Sequence, residues 1–502
     1  MNARHAFIKP TLVLILFLSI VCFVTKPVIS QASEYKQITI SLGVDIPTLD
    51  PYGHSDAASF SIWKHMLEPL VLFNFYERRF YGALAESWTV EGKEWTFKLR
   101  KGVKFHNGAD FTAKDVKFSF ERIKRIGKQV ILGDLEGIKI VDNYTVKLIT
   151  KRPFPPFLSR LWDAVIVSEQ VYKKYGEDAT KHPIGTGPFK FVEWVRGSHL
   201  VAEKNYNYWG EPAKIDRVIW KPIGETAARI TALEKGSTDI AVDIPPHEVA
   251  RLEKNPNIRI EKVRSMRLIQ VALSPRFKPF QNRLVRLAVN YAVDVDSLIK
   301  YVLQGRGYRA ASLSGPASIG YDPGLKPFPY DSAKAKALLA QAGYPNGFEV
   351  DFYAPNGRYP KDRELAQAIA GQLAKVGIRA RVITPEWSIF WSSVRKGKYS
   401  MFYFGGFNHV DPDIFLKLYF RTGFSPRIGY SNPEVDKLID TQGSEFDQEK
   451  RNKLVQRVIR MIIEDVPTIL LYHHEKLFGV RENVVWKPTP EETVNVQQAS
   501  MR

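Results

Sequence analysis

The sequence predicts an α/β protein built from about three domains, and three observations carry that expectation. The chain has 502 residues, against a soft prior of roughly 150 per domain. Its last third alternates helical and strand patterns in a βαβαβ rhythm, which implies a sheet with helices on its faces. Hydrophobic residues make up 44% and charged residues 25%, an ordinary globular balance that excludes a disordered or collagen-like chain.

The N-terminus sets the compartment. Arg4, His5 and Lys9 precede an apolar run from Thr11 to Val24, shorter than the about 20 residues of a comfortable membrane span. A basic start, a short apolar middle and small residues after it make a secretory signal. Ser30-Gln31-Ala32 suits a cut after Ala32, and a cut after Ser30 also fits. Residues 1–32 are therefore read as a cleaved leader, and an uncleaved anchor is the alternative. The one cysteine, Cys22, lies inside the apolar run. Val21 before it does not suit a lipoprotein site, so the mature chain would have no cysteine. That excludes internal disulfides and thiolate zinc clusters. Loss of Arg4, Lys9 and Lys26 with the leader lowers the formal charge from +19 to +16. The excess is interleaved with acids, as in Lys361-Asp362-Arg363-Glu364. On an exported protein it reads as a solvated surface favouring anions, not as a nucleic-acid footprint.

The elements follow in order. Gln37 to Val44 alternates as a strand and enters the proline-punctuated turn Asp45-Ile46-Pro47-Thr48-Leu49-Asp50-Pro51-Tyr52. Ile62, Met66, Leu67 and Leu70 predict a helix over 62–72. Trp95 to Arg100 is a strand turned by Lys101-Gly102. Thr112 and Asp115 form a capping box for a helix that turns Val116, Phe120 and Ile123 to one side. Asn143 to Leu148 alternates again, and two strands, Phe189–Val192 and Leu200–Ala202, flank Arg196-Gly197. Val218 to Trp220 is a buried strand, Thr226 to Lys235 a helix, and Val263 to Leu273 a further strand. Helices are expected over Leu284–Val293, Asp296–Leu303, Asp331–Ala342, around Leu365–Val376 and over Ile389–Val394; strands over Phe348–Tyr353, Ile378–Ile383 and Tyr399–Phe404.

Catalytic signatures are missing. There is no phosphate loop and no Gly-x-Ser-x-Gly elbow. His247-Glu248 lacks the second histidine of a zinc-protease helix, Arg251 standing in its place. His473-His474-Glu475 has the spacing of a strand whose neighbours face opposite sides, not of two ligands on one helix face. Gly185-Thr186-Gly187 lacks the third glycine of a dinucleotide fingerprint.

Three ordered blocks carry a family resemblance. The first joins Leu84-Ala85-Glu86-Ser87-Trp88-Thr89-Val90 to Trp95–Gly108 and Thr112-Ala113-Lys114-Asp115-Val116. The second is Gly185-Thr186-Gly187-Pro188-Phe189-Lys190-Phe191, and the third Val285-Arg286-Leu287-Ala288-Val289-Asn290-Tyr291-Ala292-Val293-Asp294. From about Ile38 onward the chain resembles the family 5 extracellular solute-binding proteins, the dipeptide-, oligopeptide- and nickel-binding components of ABC importers. The resemblance implies a two-lobed periplasmic-binding-protein fold of the large three-domain (cluster C, type II) kind, with the ligand enclosed between lobes that close by a hinge motion. It implies a discontinuous domain I (33–56, 183–277 and 480–502), a domain II (57–182) and a domain III (278–479). In that frame Phe105-His106-Asn107-Gly108 reads as a tight turn, and Gly185 and Gly187 let the chain pass between domains.

The same resemblance points to a pocket. In peptide-binding relatives an aspartate shortly before an acidic-Pro pair grips the ligand's ammonium group, because charge-assisted hydrogen bonds are strong. The matching loop here is Gly405-Gly406-Phe407-Asn408-His409-Val410-Asp411-Pro412-Asp413. Asn408 stands in the aspartate's place, uncharged, and Gly406 or Gly405 replaces the relatives' tryptophan. Asp411 would substitute as the acid or cap the helix near Pro412. Arg267, in Ser265-Met266-Arg267-Leu268 where a strand crosses between lobes, would meet a carboxylate bidentately or lie on the surface. Trp387, Trp391, Phe407 and Tyr52 would stack on a ligand or serve the core. His409 is the candidate for any metal reading. The ligand-binding candidates are thus Asn408, His409, Phe407, Gly406, Arg267, Met266, Tyr52, Trp387, Trp391 and Asp411.

The function expected is capture of a peptide or peptide-like solute and its delivery to an ABC permease, by a periplasmic monomer. No catalysis, cofactor, resident metal or nucleic acid is expected. The alternatives on the same fold are a nickel chelate, glutathione, an opine or an oligosaccharide as ligand; those of another class are an exported hydrolase or a chemosensory ligand-presenting receptor.

Overall fold

A sheet of eleven strands forms the spine of the molecule. The computed structural model describes residues 35–53, 57–407 and 410–502. The leader expected over 1–32 lies outside the described residues, as do Asn408 and His409. Among the described residues no helix is long and apolar enough to cross a membrane.

In one half of the sheet, Gln37–Leu42 runs parallel to both Arg217–Pro222 and Ile240–Val242, with Ile40 opposite Trp220 on one side and Ile240 on the other. In the other half, Phe348–Tyr353 runs parallel to Ile378–Ile383 and to Met401–Phe407. Two long antiparallel strands, Ile258–Leu273 and Thr468–Arg481, link the halves. Arg259 pairs with Val480 in the first half, and Val271 with Ile469 in the second. The register shifts between Arg264 and Leu268, so the ladder breaks where the chain passes from one lobe to the other. A bulge there frees backbone pairing and lets the strands bend.

Each lobe has its own core. Ile38, Val218, Phe478, Val480, Val484, Trp486, Val494 and Val496 pack together, so the first described strand, the middle of the chain and its tail share one apolar cluster. The tail is fastened to the helix Ala57–Trp63 and the turn after it: Val494 N–H donates to Ser61 Oγ (2.9 Å) and Val496 N–H to His65 Nε2 (3.0 Å). A separate four-stranded antiparallel sheet spans Ala85–Glu91, Glu94–Leu99, Thr145–Thr150 and Leu135–Asp142. The second lobe packs Phe280, Val285, Val289, Leu365, Ile369 and Tyr403 on one face of its strands and Phe402, Phe404, Phe420 and Ile459 on the other. Helices cover both faces of a parallel sheet for this reason: neither face can be left wet.

Two expectations change. The helix predicted over 62–72 ends at Trp63, and Val71–Asn74 is a strand. Pro69 lacks an N–H and drives Glu68 out of the helical region; the apolar spacing survives because Met66, Leu67 and Leu70 are all buried. The helix expected over 296–303 is a short α-turn, Val295–Ser297, running into a π-helical stretch, Leu298–Val302. The capping box holds: Thr112 accepts from Lys114 N–H while Asp115 accepts from Thr112 N–H at 2.9 Å.

The glycines of Gly185-Thr186-Gly187 have a steric reason. A Cβ at Gly187 would lie 2.6 Å from the His65 carbonyl oxygen, and one at Gly185 would overlap that of Met66. His106 braces this passage, its Nε2 donating to Gly187 O (3.0 Å) and its Nδ1 accepting from Gly185 N–H (3.3 Å).

Candidate ligand-binding site

The loops after the parallel strands of the second lobe converge beside the crossing strands. Arg358 and Tyr359 follow the strand Phe348–Tyr353, Trp387 follows Ile378–Ile383, and Phe407 ends Met401–Phe407. Ligands of open α/β sheets bind outside the carboxyl ends of such strands. The Arg358 guanidinium lies 5.5 Å over the Tyr359 ring and 5.2 Å over Trp387, and that of Arg267 lies 6.0 Å from the Tyr359 centroid. Trp387 stacks on Trp391 (5.5 Å) and on Phe390 (5.8 Å). The outcome is an aromatic cluster with two guanidiniums against it, of which the exposed Arg358 is suited to a planar anion.

Arg267 is not solitary. It is paired in register with Phe407. Its Nη2 donates to Glu492 Oε2 (3.1 Å) and its Nε to Oε1 (3.3 Å). Ser265 Oγ also donates to Glu492, and His474 Nδ1 lies 3.7 Å from Oε1. Further along, Lys476 Nζ lies 3.2 Å from Asp243 Oδ1. Burial works to raise the Glu492 carboxyl, but Arg267, His474 and Lys476 override it and hold it well below the usual range. Glu492 and Asp243 both have left-handed backbone, with φ of 68° and 55°. For a non-glycine residue that costs on the order of 1 kcal/mol and persists where surrounding contacts over-determine it. A carboxylate fixed in strained backbone and ringed by cations is a charge array held ready in position.

On the opposite side of the same strand, Met266 packs with Phe73, Trp162, Ile319 and Val410. Phe73 and Trp162 belong to the first lobe, so this cluster closes the space between lobes. Polar contacts at the rim do likewise: Arg160 Nη2 donates to Asp413 Oδ2 (3.3 Å), and Arg152 Nη1 to Ser444 Oγ (3.0 Å).

Of the residues singled out from sequence, Arg267, Met266, Gly406, Phe407, Trp387 and Trp391 gather around this crossing. Two others do not. Tyr52 is buried in the first-lobe core, its hydroxyl donating to Val165 O (2.5 Å). Asp411 is buried as well, bridged to both terminal nitrogens of Arg451 (2.7 and 2.8 Å) and accepting from Asp413 N–H (3.0 Å). Its oxygens thus fasten the helix Asp413–Phe420 to Gln448–Asp465. The tryptophan of the peptide-binding relatives has no room here: a Cβ at Gly406 would lie 2.5 Å from the Phe415 ring, and one at Gly405 2.7 Å from Tyr359.

Glu492, Arg358 and Tyr359 escaped the sequence reading. Glu492 has no local signal, being 225 residues from its partner Arg267. Arg358 and Tyr359 carried one: Asn356-Gly357-Arg358-Tyr359-Pro360 is the turn at the carboxyl end of a strand with parallel neighbours.

The comparisons agree on this architecture. The family model for bacterial extracellular solute-binding proteins, family 5 Middle, matches residues 79–426. The glutathione-binding protein GsiB of Escherichia coli O1:K1 is 31% identical over 463 residues, covering 88% of this chain and 90% of that protein. The Helicobacter pylori periplasmic binding protein DppA, solved with the peptide STSA, is 29% identical with a TM-score of 0.79, over 93% of this chain and 98% of that one. HbpA2 of Haemophilus parasuis is 26% identical with a TM-score of 0.84, over 93% and 100%. A two-lobed α/β fold, a broken ladder where its strands cross, and matches of this extent have one meaning: the chain belongs to the family 5 bacterial extracellular solute-binding proteins, the ligand-capturing components of ABC importers.

Proposed function

We propose that this protein captures a small peptide-like solute bearing at least one carboxylate, and that glutathione is the first such solute to test. The observation that carries the reading is the Arg358 guanidinium held over Tyr359 and Trp387 at the carboxyl ends of the second-lobe strands. A planar carboxylate takes two parallel hydrogen bonds from such a fork. The opposite anchor, an acid for a free ammonium, is weak: Asn408 is uncharged and Glu492 is already engaged by Arg267. Similarity to GsiB, whose name states glutathione binding, supports the choice.

In this reading the protein works without catalysis, as a monomer in the periplasm after loss of residues 1–32, and hands the solute to its permease when the lobes close. Segments 33–56, 183–277 and 480–502 would move as one body, with 57–182 attached to it and 278–479 opposing it.

Native mass spectrometry of freshly purified protein identifies a retained solute directly. Calorimetry with glutathione, free dipeptides and N-acetylated dipeptides then ranks the classes. Glutathione and N-acetylated dipeptides are expected to bind. Tight binding confined to free N-termini and lost in Asn408→Ala overturns the reading.

A further inference from the structure

Behind the crossing, buried hydrogen-bonding groups without partners cluster on the strands Ile258–Leu273 and Thr468–Arg481 and on the loop beside them. Arg264 is half-buried, its guanidinium 5.3 Å over the Tyr308 ring. Among the described residues it makes no ion pair, and its Nε is buried without a hydrogen bond. Its cross-strand neighbour Glu475 is bound elsewhere, by Arg306 Nη1 at 3.4 Å and by the Tyr308 hydroxyl. His473, 1% exposed, pairs in register with both Leu268 and Tyr308, and its Nδ1 is also buried without a partner. The loop that closes over this face brings Ser314 and Ser318, 1% and 0% exposed, with both hydroxyls unpartnered. Gly315 between them admits the His473 ring, which lies 3.1 Å from where a Cβ would stand.

Buried polar atoms in a native fold are nearly always satisfied, and an isolated buried cation is costly. Here one cation, an imidazole and two hydroxyls flanking Gly315 lie in one neighbourhood, and among the described residues no carboxylate pairs with Arg264. The imidazole is neutral: burial and then Arg264 push it down to about 3. Its Nδ1–H tautomer would donate to an anion there, while Arg264 supplies the charge. We infer that Arg264, Ser314, Ser318 and His473 form an anion subsite that takes a carboxylate-sized group. The loop is wired to the ligand-binding segment, since Ile319 N–H donates to Val410 O (2.8 Å) and both side chains pack on Met266. Filling the subsite fixes the loop that borders the cleft. The anion has two possible sources, a free small anion or a second carboxylate of the imported solute. Only the second source depends on the function proposed above.

The test uses acetate and bromide as probes on the whole protein. Thermal unfolding of wild type is expected to rise saturably with acetate at fixed ionic strength. Arg264→Gln and the double variant Ser314→Ala/Ser318→Ala should each weaken that response about tenfold, the equivalent of one charge-assisted hydrogen bond. Crystals grown in bromide should show an anomalous peak within hydrogen-bond reach of Arg264 and Ser318. Equal acetate responses in wild type and Arg264→Gln, with no bromide peak at Arg264, overturn the subsite. Equilibrium dialysis with glutathione identifies the source. Competition by acetate in wild type, absent in Arg264→Gln, means a solute carboxylate; saturable acetate binding without competition means a free anion. Failure of glutathione to bind at all would count against the proposed solute while leaving the acetate and bromide results to decide the subsite.

Discussion

Arg160 of the first lobe donates to Asp413 of the second across 3.3 Å, with both side chains buried. Asp413 is the first residue of a helix and lies two residues beyond Asp411, so the segment that follows the candidate site's strand is also a segment that the other lobe holds. Asp413 keeps Lys417 (3.0 Å) and Gln442 (2.9 Å) from its own lobe. Opening would therefore remove one partner from the carboxylate and leave two. Arg160→Met should weaken the closed state without unfolding either lobe. A hydrogen bond to a charged group contributes about 1.5–3 kcal/mol, so ligand release should accelerate by roughly tenfold or more. Stopped-flow release of a bound solute measures this; an unchanged rate would show that the contact does not restrain opening.

Asp411 and Arg451 form a buried pair with bidentate geometry, and Gln442 Oε1 accepts a further bond from Arg451 (3.0 Å). Removing one partner of such a pair leaves an uncompensated buried charge, at a cost of about 3–5 kcal/mol. Arg451→Met should lower the unfolding midpoint sharply, and Asp411→Asn should do so less, because the amide can still accept from Asp413 N–H. Ligand affinity of whatever Asp411→Asn protein folds should stay within a few-fold of wild type. A selective loss of affinity with stability intact would instead make Asp411 a ligand contact.

Arg358 is exposed and rests on ring faces, so its removal should leave the fold alone. Arg358→Ala is expected to lower affinity for a carboxylate-bearing solute by about tenfold to a hundredfold, while the unfolding midpoint hardly moves. Arg267→Ala should differ, because it strands the buried Glu492 carboxylate and destabilises the protein as well. Melting curves and calorimetry on the pair separate a ligand contact from a structural one.

How much of this was legible in the sequence depends on the range of the contacts. Alternating runs such as Ile378–Ile383 and the capping box at Thr112 are local, and the structure has them where the pattern put them. The helix over 62–72 failed because Ile62, Met66 and Leu70 are buried from more than one side, which mimics a helical stripe. The absence of the relatives' tryptophan could be seen but not explained until Phe415 and Tyr359 were found against Gly406 and Gly405. The Arg267–Glu492 pair and the first-lobe burial of Tyr52 depend on segments far apart in the chain, and no local spacing encodes them.

Stability should fall on mild acidification, and the sign follows from three buried groups and the partly buried His106. Burial, the main cause in each case, pushes His65 and His106 from 6.5 down to about 4 and His473 down to about 3. In the window between pH 6.5 and about 4 the unfolded chain binds more protons at these sites than the folded one, so their contribution is lost as pH falls through it. Glu68 acts oppositely. Burial raises its carboxyl from 4.5 to about 7, against hydrogen bonds from Trp209, Tyr208 and Thr186. Over pH 4.5 to about 7 the folded state binds its proton more readily, so stability falls there as pH rises. Three histidines outweigh one acid between pH 6.5 and 4.5, leaving a net excess of about two protons in the unfolded state. That gives a slope of roughly 3 kcal/mol per pH unit. Unfolding midpoints measured from pH 7 to 5 should therefore drop on the acid side. Glu68→Gln removes the opposing group among these four and should make the drop steeper, whereas midpoints that stay level over this range would mean that the histidines are hydrated in the folded protein.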